Sequence, residues 1–97
     1  MSYLGYENWD TWNTLLILEN DQRTYNWLWA WNKNWKRKVK KGTFDQARAE
    51  SVVKKYLVPT ARGTQKSRFP GLVTDSDINP KLVSKKEVVE HIMEMDE

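Results

Sequence analysis

The chain has 97 residues, no cysteine, and a net charge of +3 from 16 Lys and Arg against 13 Asp and Glu. Without cysteine, disulfides and thiolate metal sites are excluded, and a domain near the lower size limit for an independent core must find its stability elsewhere. Six tryptophans, four tyrosines and two phenylalanines are the obvious source, because each large ring buries roughly 150–250 Å².

The length predicts a single domain, 1–97. "MSYLGYENWD" lacks a basic stretch followed by an apolar one, so no signal peptide is expected. Apolar runs such as Leu15 to Leu18 are far short of the roughly 20 residues that span a bilayer. A soluble intracellular protein is the resulting expectation, and the lack of cysteine fits a reducing cytoplasm. Charge is unevenly spread. Residues 1–32 carry Arg23 against Glu7, Asp10, Glu19 and Asp21, residues 33–68 carry eight Lys and four Arg against Asp45 and Glu50, and residues 69–97 carry three Lys against seven acids. A basic middle between acidic ends points to an anionic partner or to pairing between the ends and the middle.

The first helix is expected over "NWDTWNTLLILEN", with Asn8 as N-cap and Asp10 in the first turn. Trp9, Trp12 and Leu16, with Leu15 beside them, mark its apolar face. Asn20 or Asp21 then caps a second helix, Gln22 to Lys41. Two stripes run along it: Tyr25, Leu28, Trp35 and Val39, interrupted by Asn32, and Trp27, Trp31 and Trp35. Positive charge in its last turns suits the helix dipole, and Gly42 ends it. Thr43 and Gln46 have the spacing of a capping box for a third helix within 43–57, burying Ala49, Val52, Val53, Tyr56 and Leu57, with Phe44 at its entry and Pro59 stopping it. Residues 58–83 hold all three prolines and no sustained period, which predicts a long irregular loop. Ser84 and Glu87 form a second capping box, Val83 and Val88 a hydrophobic staple, and the closing helix of 84–95 buries Val88, Val89, Ile92 and Met93. The expected fold is all-α, a small bundle of three to four helices built on an aromatic αα-hairpin at 8–41.

Chemistry has few footholds. Asp75, Asp77 and Asn79 imitate the start of a calcium loop, but Pro80 and Lys86 stand where that loop needs glycine and glutamate, so an Asx-type turn is expected instead. The lone His91 lacks both the companions of a zinc site and a nucleophile to activate, and reads as a solvent-facing helix residue. "GTQKS" lacks the leading glycine and the strand of a phosphate loop. No catalytic residue, metal ligand or cofactor is assigned, and an enzyme is not expected.

The basic block remains. Lys33, Lys36, Arg37, Lys40 and Lys41 ring the end of the second helix, and Lys54, Lys55, Arg62, Lys66 and Arg68 follow; together they are the expected partner-binding residues. Phosphates need only charge and donors, and a tryptophan left exposed nearby could stack on bases. A membrane-surface helix is disfavoured, because the charges gather at one end of the helix rather than along one face.

"YENWDTWN" (Tyr6 to Asn13) followed by "NDQRTY" (Asn20 to Tyr25) resembles a family of small uncharacterised proteins of phage and other viral genomes, which share a Tyr-Glu-Asn-Trp-x-Thr-Trp-Asn stretch and an Asn-Asp-x-x-x-Tyr stretch. The resemblance covers the first quarter to third of the chain. It implies a viral origin and a bacterial host cytoplasm, and no activity. The expectation is a small phage accessory protein that binds a host or viral protein. Nucleic-acid binding through 33–68 and a structural or self-assembling virion component are the alternatives, with oligomeric state left open.

Overall fold

In the computed structural model, residues 5–68 and 78–96 are described, apart from the side chain of Arg68. Asn8 starts the first helix, α1 (Trp9–Asn20), as its sequence position predicts. Its Oδ1 accepts from the backbone N–H and the hydroxyl of Thr11, both at 2.9 Å, while its Nδ2 donates to the Leu82 carbonyl at 2.6 Å. One side chain thus caps a helix and holds a distant turn.

The buried face of α1 is not the tryptophan face. Thr11, Thr14, Leu15 and Leu18 are buried, at i, i+3, i+4 and i+7, whereas Leu16 is 39 % exposed and Trp9 and Trp12 are half-buried. The threonines can be buried because their hydroxyls are satisfied. Thr14 donates to the Asp10 carbonyl, and Thr11 accepts from the N–H of Ser84. Small side chains at these positions also admit neighbouring helices closely.

Asp21 caps α2 (Gln22–Lys41) by accepting from the N–H groups of Arg23 and Thr24, and the Thr24 hydroxyl donates back to the Leu18 carbonyl at 2.6 Å. The helix buries Thr24, Leu28, Asn32 and Trp35; Val39, expected on that stripe, is 50 % exposed. Asn32, expected to interrupt the stripe, is part of the buried face. Gly42 ends the helix at φ +72°, with its N–H and that of Thr43 donating to Val39 and Lys38 carbonyls. Only a residue without Cβ takes this left-handed conformation readily.

That turn redirects Thr43, whose hydroxyl donates to Lys38 rather than to a helix start. Asp45 is the cap instead, accepting from Ala47 and Arg48 N–H groups, and α3 (Gln46–Val52) begins two residues later than the capping-box spacing predicts. Pro59 does not stop the rod. A π turn (Val53–Leu57) follows α3 and leads directly into α4 (Val58–Arg68), so 58–68 is helix and not the expected loop. The Val58 N–H reaches back five residues to the Val53 carbonyl. This wider turn relieves the clash a proline ring makes with the carbonyl behind it, and the Thr60 hydroxyl donates to the Tyr56 carbonyl at 2.7 Å.

The π turn also has a packing cause. Ala49, Val53, Leu57, Ala61 and Gln65 are buried at every fourth position. In a pure α-helix such a repeat drifts by about 40° per step. A turn holding more residues brings the stripe back toward one face. Tyr56, expected inside, is instead 60 % exposed.

The described chain resumes at Ile78, which is buried and donates its N–H to Gln65 Oε1. Asn79 donates its N–H to Asp10 Oδ1 and accepts from the Lys81 N–H, the expected Asx turn. Asp75 and Asp77 lie outside the described residues, as does the rest of the expected loop at 69–77. Ser84 caps α5 (Lys85–Glu94) by accepting from the Glu87 N–H. The capping box is only half made: Glu87 accepts from the backbone of Glu7, and Thr11 serves the Ser84 N–H. Val88, Val89 and Ile92 are buried, and α5 packs on α1, α2, α3 and the π turn. The fold is all-α around one apolar core.

Candidate functional site

The expected basic residues do not gather on one patch. Lys36 is turned toward the chain's C-terminal end, donating to the Met95 carbonyl at 3.0 Å and to Asp96 at 3.2 Å. Lys33 is exposed beside a small cleft it shares with Lys36, Trp29 and Met95. Arg37, Lys40 and Lys41 are exposed at the end of α2. Arg62 is half-buried and Lys66 exposed on α4, while the side chain of Arg68 lies outside the described residues. Lys54 and Lys55 stand in the π turn and line two different cavities.

The first cavity, about 380 Å³, lies between the end of α2 and the rod of α3 and the π turn. Trp35, only 2 % exposed, forms part of its wall. Trp31 packs on Trp35 at 5.4 Å between ring centroids, and Phe44 meets Trp35 edge-on at 6.3 Å. Around these rings stand Lys38, Arg48, Lys55 and the exposed ring of Tyr56. Among the described residues no carboxylate pairs with Lys38, Arg48 or Lys55. Asp45 is the acid in the groove, and its Oδ1 is held by the two N–H groups of its cap. Cations without a carboxylate partner, lining one groove with aromatic rings, make a receptor for a group that is flat, anionic, or both.

The second cavity, about 440 Å³, is lined by Lys54, Val58, Pro80, Lys81 and Lys85. Among the described residues it carries three amines and no carboxylate, and one of the amines, Lys85 Nζ, donates to the Pro80 carbonyl at 2.8 Å. Lys38, Arg48, Tyr56, Lys81 and Lys85 are absent from the residues picked by sequence. Arg48 and Lys55 are seven apart on one rod, and Lys38 follows Trp31 by seven on α2, so part of this face was available as helical spacing. Lys81 and Lys85 come from the acidic final third, where charge bookkeeping by segment hides them.

His91 is not a solvent-facing bystander. Its Nδ1 is 2.9 Å from the Tyr6 hydroxyl and its Nε2 bonds Glu19, joining the N-terminal segment, α5 and α1. Burial, and then the charges of Glu19, Glu87 and Glu94, raise the Tyr6 pKa above its ordinary value. This corner is acidic, with Glu87, Glu90 and Glu94 around the imidazole. Among the described residues no three His, Asp or Glu side chains are placed to share a metal ion. A larger cavity, of about 720 Å³, opens between the α1–α2 turn and α4. Among the described residues its one carboxylate, Asp21, already caps α2, and Arg23 is its one cation, so they present no concentrated chemistry. "GTQKS" lies within α4 as helix. Among the described residues no helix is long and apolar enough to cross a membrane.

Compared with protein-family models, with curated proteins and with solved structures, the chain matches none of them.

Proposed function

We propose that this protein is a non-enzymatic phage accessory protein that acts in the host cytoplasm by binding an anionic host or viral macromolecule. The viral part of this reading rests on the resemblance of Tyr6–Asn13 and Asn20–Tyr25 to the phage motif. The binding part is supported by one observation: among the described residues, Lys38, Arg48 and Lys55 have no carboxylate partner and line one groove with the Trp31, Trp35 and Phe44 rings. Like charges held together without counter-ions raise the local potential and draw an opposite charge. A self-assembling role would draw support from an exposed aromatic stripe on α2. There Trp27 is exposed, but Trp31 packs on Trp35 and Trp35 is buried, so the stripe offers a single ring.

The test is capture from phage-infected bacterial lysate by the wild-type chain and by a Lys38→Gln, Arg48→Gln, Lys55→Gln variant, with melting curves to verify folding. The expected result is a macromolecule retained by the wild type and lost by the folded variant. Equal recovery by both would remove the groove from the function.

A further inference from the structure

We infer that the two cavities form one site for single-stranded nucleic acid, with a base in the aromatic groove and phosphates over the lysine cavity across the π turn. This rests on the binding role proposed above and names its partner.

Three features carry the inference. Lys54 and Lys55 are consecutive, yet each lines a different cavity, so a single ligand crossing the π turn meets cations on both sides of it. A chain of regularly spaced phosphates has the charge distribution for that path, and neutralising each phosphate releases counter-ions. The Tyr56 ring, 60 % exposed beside Arg48 and Lys55, offers a face to an unstacked base. Stacking on such a ring is tolerant of sequence because every base has a π face.

The same geometry disfavours the other anions. A duplex keeps its bases stacked and cannot send one into a groove walled by Trp35 and Phe44. An acidic peptide would bring a carboxylate against Asp45, whose Oδ2 has no partner among the described residues. An N–H on the edge of a base, such as the N3–H of thymine or uracil, would instead donate to that oxygen.

The experiment is fluorescence anisotropy with labelled oligothymidylate and oligouridylate, a duplex of equal length, and polyglutamate of equal charge, over a salt series. Single strands are expected to bind and to quench tryptophan emission, with the duplex and polyglutamate each weaker by about tenfold or more. Tyr56→Ala should weaken single-strand binding about tenfold at every salt concentration, because it removes stacking and no charge. Changing Lys54, Lys81 and Lys85 to Gln should reduce the slope of log affinity against log salt by up to about 0.7 per lost contact. Equal binding of duplex or polyglutamate, or an unaltered affinity in Tyr56→Ala, would overturn the stacking site. If single strands fail to bind at low salt while lysate capture still depends on Lys38, Arg48 and Lys55 after nuclease treatment, this inference falls and the binding role stands. If that capture is also unaffected by the variant, both fall.

Discussion

Asn32 and Ile92 are joined by a 2.6 Å hydrogen bond from the Asn32 Nδ2 to the Ile92 carbonyl, linking the middle of α2 to the end of α5. The same nitrogen donates to the Met95 carbonyl at 2.9 Å, and Lys36, one turn further along α2, donates to that carbonyl as well. A helix end leaves carbonyls without partners in its own ladder. Here a neighbouring helix supplies the missing donors, and it does so from a position 3 % exposed.

Asn32→Leu keeps the volume near constant and removes both donors. It should destabilise the protein by about 1–3 kcal/mol through the loss of both hydrogen bonds, leaving the Ile92 carbonyl only the 3.4 Å contact from the Met95 N–H and the Met95 carbonyl only Lys36. Asn32→Asp should lose more at neutral pH, because a carboxylate there would face carbonyl oxygens. Part of that loss should return on acidification, when the acid regains one donor. Urea denaturation at two pH values measures both effects.

Capping at the start of α3 separates two neighbouring candidates. Asp45→Ala should cost about 0.5–2 kcal/mol, as loss of an N-cap does. Thr43→Ala should cost less, since its hydroxyl makes only a 3.4 Å contact to the Lys38 carbonyl. Equal losses in chemical denaturation would mean that Asp45 is not the cap.

Tyr6 sets an alkaline limit. Its pKa is raised in the folded state by burial and then by Glu19, Glu87 and Glu94, so the folded chain holds this proton more tightly than the unfolded chain. The associated stability is fully present below the ordinary value of 10.0 and is lost as pH rises through the higher folded value. Tyr6→Phe should flatten that decline. Denaturation midpoints followed upward from neutral pH, for both proteins, give the comparison.

The tryptophans divide by burial. Trp35→Ala should cost about 3–5 kcal/mol, because it opens a cavity among Trp31, Phe44 and the core. Trp27, 40 % exposed, should tolerate alanine within about 0.5 kcal/mol. Thermal melts of the two variants distinguish them, and similar melting temperatures would contradict this division.

The caps at Asn8, Asp21, Gly42 and Ser84 and the spans of α1, α2 and α5 were legible in sequence, because each depends on residues a few positions apart. Three features were not. The buried face of α1 is read wrongly when Trp outranks Thr; burial of Thr11 and Thr14 depends on partners, one of them the N–H of Ser84, far along the chain. α4 is hidden by Pro59 and Gly63, which read as breakers, and by Gln65, whose buried amide binds the backbone of Ile78. For the site, a basic block was visible as net charge, but its division was not. Lys36 is drawn to Met95 and Asp96, while Lys81 and Lys85 join Lys54, and both arrangements cross dozens of intervening residues.

The π turn gives the α3–α4 rod a tolerance for a one-residue deletion that α2 lacks. Removing one residue between Val53 and Leu57 would change the four-residue repeat of buried positions to one three-residue step among fours, which an ordinary α-helix accommodates on one face. The shortened rod would then need Pro59→Ala, because a regular helix has no wide turn to receive the ring. Such a paired deletion and substitution should keep cooperative melting, whereas deleting one residue from the middle of α2 should abolish it by rotating Asn32 and Trp35 out of register with Leu28. A form one residue shorter at this turn can therefore keep the fold, provided that it lacks the proline.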